Sequence, residues 1–171
     1  MHSACWRGAM RGRAVAVAAL VVALGFGGAP RPAVAAEPPS PEPAAIGALL
    51  DEFIDALNTA DLPRYVALFA PDATAFFPLA EVPLRLESKE QIAAVFGRFF
   101  EGVRRSGPGP RYLNLAPADV RLQLYGGAAV VSFHFKGGEM TSRRTLVLAK
   151  RDGKWSIVHL HASNLGLAAS R

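Results

Sequence analysis

The sequence predicts an α+β domain: three N-terminal helices packed on a curved antiparallel sheet, built from a short early strand and a four-strand C-terminal meander. Three observations carry this. Apolar residues in the first half recur at helical spacing, those in the second half alternate at period two, and glycine-containing turns divide the second half at hairpin intervals.

Ile46, Leu49, Leu50, Phe53, Ile54 and Leu57 form one helical stripe, which Asn58 to Ala60 ends. Asp61 caps a second helix, with Pro63 in its first turn and Tyr65, Val66, Leu68 and Phe69 as its apolar positions. "ATAFF" after Pro71-Asp72 reads as the short strand. Ser88-Lys89-Glu90-Gln91 is a capping box, in which hydroxyl and amide each satisfy a free backbone N–H. It opens a third helix with the stripe Ile92, Val95, Phe96, Phe99, Phe100 and Val103. Strands near 117–125, 128–136, 142–150 and 154–163 follow, joined by Gly126-Gly127, "GGEMT" and Asp152-Gly153.

The chain of 171 residues fits one domain plus extras. Arg7, Arg11 and Arg13 precede an apolar run from Ala14 to Phe26, and Ala33-Val34-Ala35 offers a small-residue cleavage site. Residues 1–35 therefore read as a secretory signal peptide, and the run is short for a membrane span. "EPPSPEPA" makes 36–43 a Pro-rich linker, 44–164 is the domain, and 165–171 a short tail. The expected product is exported, periplasmic or extracellular, with no stable membrane anchor after cleavage. Removing the leader's four arginines (Arg7, Arg11, Arg13, Arg31) leaves fifteen Lys/Arg against fourteen Asp/Glu, so the basic balance belongs mostly to the leader. Nucleic acid is not an expected partner, because the remainder has no basic run beyond isolated pairs. The single cysteine, Cys5, leaves with the leader, so the domain relies on its core without disulfides.

Helix–helix–strand–helix–meander, with "LNTADLPRYVALFAPDATAFF" early and "RDGKWSIVHLHAS" late, resembles the SnoaL-like cone fold of the nuclear transport factor 2-like superfamily. The nearest subgroup is the one related to the association (hub) domain of calcium/calmodulin-dependent kinases. The resemblance covers roughly Ala44 to Asn164 and is not specific for an activity, since this fold serves enzymes, adaptors and binding domains.

A ketosteroid isomerase-like site would, by this resemblance, need a carboxylate in an Ala-Thr-x-x-Asp-Pro run; "ATAFFP" puts Phe77 there. The expected tyrosine of the first helix is also missing, with Phe53 and Phe69 as the available aromatics. Losing the base removes a proton transfer worth ~10²–10⁴ in rate. The hub's pocket arginines align with His134, Leu146 and Ala162, so only one of the three positions stays basic.

His159 and His161 lie two apart in a strand and so point to one side. His134 lies two strands away, about 10 Å off at ~4.8 Å per strand, too far to complete one metal site. No metal or other cofactor is implied. If Asp152-Gly153 is a two-residue turn, Arg151 pairs with Lys154, and His159 and His161 stand beside Leu146 and Arg144. With a glycine bulge, Lys150 pairs with Lys154 and the histidine face is shared with Arg143, Thr145 and Val147. The hub resemblance favours the bulge. Leu146, Leu160, Ala162 and Arg144 then line the cone, with His134, Ser132 and Tyr65 as further polar or aromatic candidates. The outward face carries Trp155, Ile157, His159 and His161, a candidate homodimer interface.

Three functions stay open. One is a non-catalytic exported domain that dimerises through its sheet and binds a small apolar or weakly acidic ligand. Another is an isomerase, cyclase or dehydratase acting on a lipophilic carbonyl compound, with His134 as base and Tyr65 or Arg144 as electrophilic helper. The third is a pure oligomerisation module with a filled cone.

Overall fold

The computed structural model describes residues 40–80, 82, 84–137 and 140–166. The expected signal peptide, half of the linker (36–39), Glu139 and residues 167–171 lie outside the described residues. Among those described, no helix is long and apolar enough to cross a membrane.

The first helix, α1 (Glu42–Thr59), begins inside the segment expected as linker, since proline is compatible with a first helical turn and Pro43 occupies one. Its stripe is buried as the spacing predicts, including Ile46, Leu50, Phe53, Ile54 and Leu57. It ends at Ala60, whose left-handed backbone (φ +52°) turns the chain sharply into the next helix. The short α2 (Leu62–Ala67) is capped by Asp61, whose carboxylate accepts from the Arg64 N–H at 3.1 Å. Phe69, expected in that helix, instead opens β1 (Phe69–Phe76). Ser88 caps α3 (Lys89–Arg105) by accepting from the Gln91 N–H. The Gln91 side chain accepts from the Glu87 N–H, one residue earlier than the expected box partner.

The remaining strands are β2 (Ala118–Tyr125), β3 (Ala128–Gly137), β4 (Met140–Arg151) and β5 (Lys154–Gly166). They form one five-stranded sheet ordered β1-β5-β4-β3-β2. The meander is antiparallel as predicted, whereas the early strand joins parallel to β5, making the sheet mixed. Gly126-Gly127 is a two-residue turn closing Tyr125 on Ala128. At the last hairpin Arg151 pairs with Lys154, and both turn residues, Asp152 and Gly153, have positive φ. That geometry matches the right-handed twist of the flanking strands.

The pairing then shifts by one. Leu148 faces Ile157 but Val147 faces His159, so Val158 is an extra residue. Neither expected register holds along the whole hairpin: the two-residue turn is right, and a bulge farther in produces the histidine face that the other register assigned. Before the bulge Trp155 and Ile157 face the core; beyond it Leu160 and Ala162 do. The expected outward quartet is therefore split. Trp155 and Ile157 are buried in the domain's own core, while His159 and His161 lie on the other face of the sheet.

Helices and the inner sheet face enclose the core, where Phe53, Phe100, Val131, Leu146, Leu148 and Ile157 are almost fully buried. Among the described residues one polar side chain is as deeply buried: Asn58. Its Nδ2 donates to the Leu115 carbonyl at 3.0 Å and its Oδ1 accepts from the Leu115 N–H at 2.7 Å. Its own carbonyl accepts from the N–H groups of Tyr112 and Leu113. Replacing Asn58 with alanine strands a buried donor and acceptor on Leu115. The expected loss is about 3 kcal/mol in denaturant unfolding, and a loss below about 0.5 kcal/mol would show that the latch contributes little.

Candidate ligand-binding cavity

Between helices and sheet lies a cavity of about 200 Å³. Three helices supply much of its wall: Phe53 and Leu57 from α1, Tyr65 from α2, and Val95, Phe96 and Phe99 from α3. Phe77 and Leu79 follow β1, and Leu115 is brought in by the Asn58 latch. The sheet contributes Phe135, Leu160 and a polar edge of Ser142, Arg144 and Asn164. Phe77, standing where the resemblance would put a carboxylate, packs edge-on against Phe96 with ring centres 5.0 Å apart.

Tyr65 is the unusual member. It is fully buried, stacked on Phe96 at 4.2 Å and hemmed by Phe53, Phe69 and Phe100. Its hydroxyl has no hydrogen-bond partner among the described residues. Such a group costs about 1–3 kcal/mol when left unsatisfied, so its retention at a cavity wall is informative. Burial pushes its pKa well above the ordinary tyrosine value, with the nearby Arg144 charge opposing weakly, so the hydroxyl keeps its proton and can donate.

Arg144 is half-buried and has no carboxylate partner among the described residues. Its Nη1 donates to Ser142 Oγ at 2.8 Å and to the Arg143 carbonyl at 2.9 Å, and its Cζ lies 5.6 Å from the Phe135 ring centre. Burial lowers its pKa, and the guanidinium nonetheless remains charged in any ordinary buffer.

Of the sequence-predicted pocket residues, the structure brings together Tyr65, Arg144 and Leu160. Leu146 and Ala162 share the inner face but are packed into the core outside the cavity wall. His134 and Ser132 do not belong to the site. On β3 it is Ala129, Val131, Phe133 and Phe135 that turn inward, and strand alternation sends the residues between them to the outer face. Pairing of Val131 with Leu146 and His134 with Arg143 fixes that parity, so His134 cannot serve as a base in this cavity. Ser142, Asn164, Leu115 and Phe77 were missed as wall residues. Ser142 was readable by stepping two residues from Arg144 along β4, whereas Leu115 depends on a contact 57 residues distant in sequence.

On the outer face His159 Nδ1 shares a hydrogen bond with Thr74 Oγ1 at 2.8 Å, and Phe76 lies against both imidazoles. Burial, then the charges of His161 and Arg85, lower the His159 pKa from 6.5. Among the described residues no group of three His, Cys, Asp or Glu side chains could hold a metal ion.

This cavity, closed by three helices on one face of an open mixed sheet, defines a cone-fold domain of the nuclear transport factor 2-like type. The SnoaL-like domain model matches residues 46–167, and the chain belongs to that family. No curated protein sequence matches the chain significantly. Among solved structures it is similar to a nuclear transport factor 2-like protein of unknown function from Pseudomonas putida KT2440, at 20% identity, covering 70% of this chain and 84% of that one, TM-score 0.60. It is also similar to a Streptomyces avermitilis protein of the same family, provisionally assigned as a dehydratase, at 15% identity, 74% and 99% coverage, TM-score 0.61. A third is a Xanthomonas campestris protein provisionally assigned as a calcium/calmodulin-dependent protein kinase II association domain, at 25% identity, 70% and 85% coverage, TM-score 0.54.

Tyr65→Phe deletes an unsatisfied hydroxyl without changing the ring packing, so the ligand-free variant should be more stable by about 1 kcal/mol in denaturant unfolding. A destabilised variant would mean that the hydroxyl has a partner. Alkaline difference spectra should show Tyr65 ionising only on unfolding, apart from the other two tyrosines. Because the native state holds that proton more tightly than the unfolded chain, stability should fall as pH rises above about 10.

Proposed function

We propose that the protein is an exported, non-catalytic SnoaL-like domain that holds a small lipophilic ligand in its cone and dimerises through the outer face of its sheet. The observation carrying the binding reading is the Tyr65 hydroxyl, buried without a partner among the described residues in the wall of a mostly apolar cavity, whose polar edge holds an arginine with no carboxylate partner among them. A mostly apolar cavity with a few convergent polar groups is the usual form of a small-ligand site.

The enzyme reading lacks a proton acceptor. Neither a carboxylate nor an imidazole is among the described residues lining the cavity, and the candidate base His134 is on the opposite side of the sheet. Donors alone can polarise a carbonyl but cannot take up the proton that isomerisation or dehydration releases. The likeness to an association domain supports self-assembly. With Trp155 and Ile157 turned inward, the proposed dimer face consists of Phe76, His159, His161, Thr145 and Val147. The arginine-led apolar leader supports export.

Native mass spectrometry of protein taken from its own cell envelope tests the whole reading. A cleaved dimer carrying a reproducible organic adduct is the expected result; an uncleaved chain or a bare monomer that binds nothing would overturn it. Assembly should also depend on pH. Burial and neighbouring charges lower the folded-state pKa of His159, so its contribution to folding is present above about 6.5 and is lost as pH falls. Covering it with a second copy would disfavour its charged form further and give association the same direction. Light scattering should show dimer at pH 7.5 and dissociation toward pH 5, and a constant mass across that range would contradict a histidine-bearing interface.

A further inference from the structure

Arg144 uses only one corner of its guanidinium within the protein. Both of its hydrogen bonds leave from Nη1, so Nε and Nη2 have no protein acceptor among the described residues. These two nitrogens form one edge of the planar fork, the edge whose spacing matches two oxygens of a carboxylate. Ser142 Oγ accepts from Nη1 and donates its own O–H to Asn164 Oδ1 at 2.6 Å, which leaves the Asn164 amide nitrogen to donate. The polar edge of the cavity is thus rich in donors, carries a positive charge, and has no counter-ion among the described residues. At the buried end, the protonated Tyr65 hydroxyl is a further donor without an acceptor among the described residues.

We propose that the cavity selects a small lipophilic carboxylate. Its head pairs with the Nε–Nη2 edge of Arg144, its body lies against Phe53, Phe96 and Leu160, and Tyr65 donates to an acceptor at its inner end. This deepens the binding reading and rests on it. A neutral ligand of the same shape would leave the guanidinium half-desolvated and unpaired, whereas a carboxylate offsets that cost with two charge-assisted hydrogen bonds. The volume limits the body: about 200 Å³ equals roughly seven waters at ~30 Å³ each, the size of a single-ring acid.

The test uses phenylacetate and 4-acetylbenzoate, each beside its neutral amide, titrated calorimetrically into the purified protein at pH 7 and followed by cavity methyl shifts in NMR. The carboxylates should bind at least tenfold more tightly than the amides. Arg144→Gln should erase that ratio while leaving residual binding of both, and Arg144→Lys, which keeps the charge, should retain part of it. Tyr65→Phe should weaken 4-acetylbenzoate and its amide by the same factor, preserving their ratio. Carboxylate and amide binding equally to the unaltered protein, or a preference that survives Arg144→Gln in a folded variant, would overturn the carboxylate assignment and leave the binding site standing. No binding and no methyl shift with any of the four probes would overturn both.

Discussion

The geometry of the domain depends on one buried amide. Asn58 sits at the end of α1 and pairs with Leu115 through both its donor and its acceptor, as a neighbouring β-strand would. Its carbonyl holds two further N–H groups of the same loop. Four hydrogen bonds therefore tie the segment between α3 and β2 to the helix that floors the core. Arg104 adds a second tie from α3 by donating to the Ala60 carbonyl at 2.7 Å. A loop held this way carries Leu115 into the cavity wall, and an apolar residue at 58 would leave that backbone buried and unpaired.

A second constraint lies in the sheet. A single extra residue, Val158, reverses the direction of every side chain that follows it on β5. Without it the tryptophan and the histidines would share a face. With it, Trp155 packs inward and donates to Glu42, which also accepts from Lys150, so the start of α1 is fixed to the last hairpin. Those two hydrogen bonds hold the Glu42 carboxyl below the usual carboxylate range. The bulge separates two chemistries along one strand: Leu160 and Asn164 line the cavity, while the histidines are left to the opposite surface.

Much of the fold was legible because it is written in local patterns. The stripe from Ile46 to Leu57, the Asp61 and Ser88 caps and the turn glycines each act within a few residues, and the structure has them where the spacing puts them. The site was legible only in part. Tyr65, Arg144 and Leu160 do line the cavity, but His134 and Ser132 lie on the outer face, because a relative's pocket positions do not transfer across a register that sequence does not fix. Asn58 read as a helix terminator because its partner is 57 residues away. The bulge has no glycine to announce it; Val158 is an ordinary strand residue whose extra place is decided by which neighbours must be buried.

A ligand can enter only if the cone is hollow beneath Tyr65 and not filled by its phenylalanines. Methyl NMR under xenon pressure tests this directly, since xenon enters dry apolar cavities and reports on the groups lining them. A hollow cone should give saturable shifts at Leu57, Val95, Leu115 and Leu160, with Leu146, Leu148 and Ile157 unmoved in the packed core. Shifts absent from the first set, or shared equally by both, would show a filled interior and contradict it.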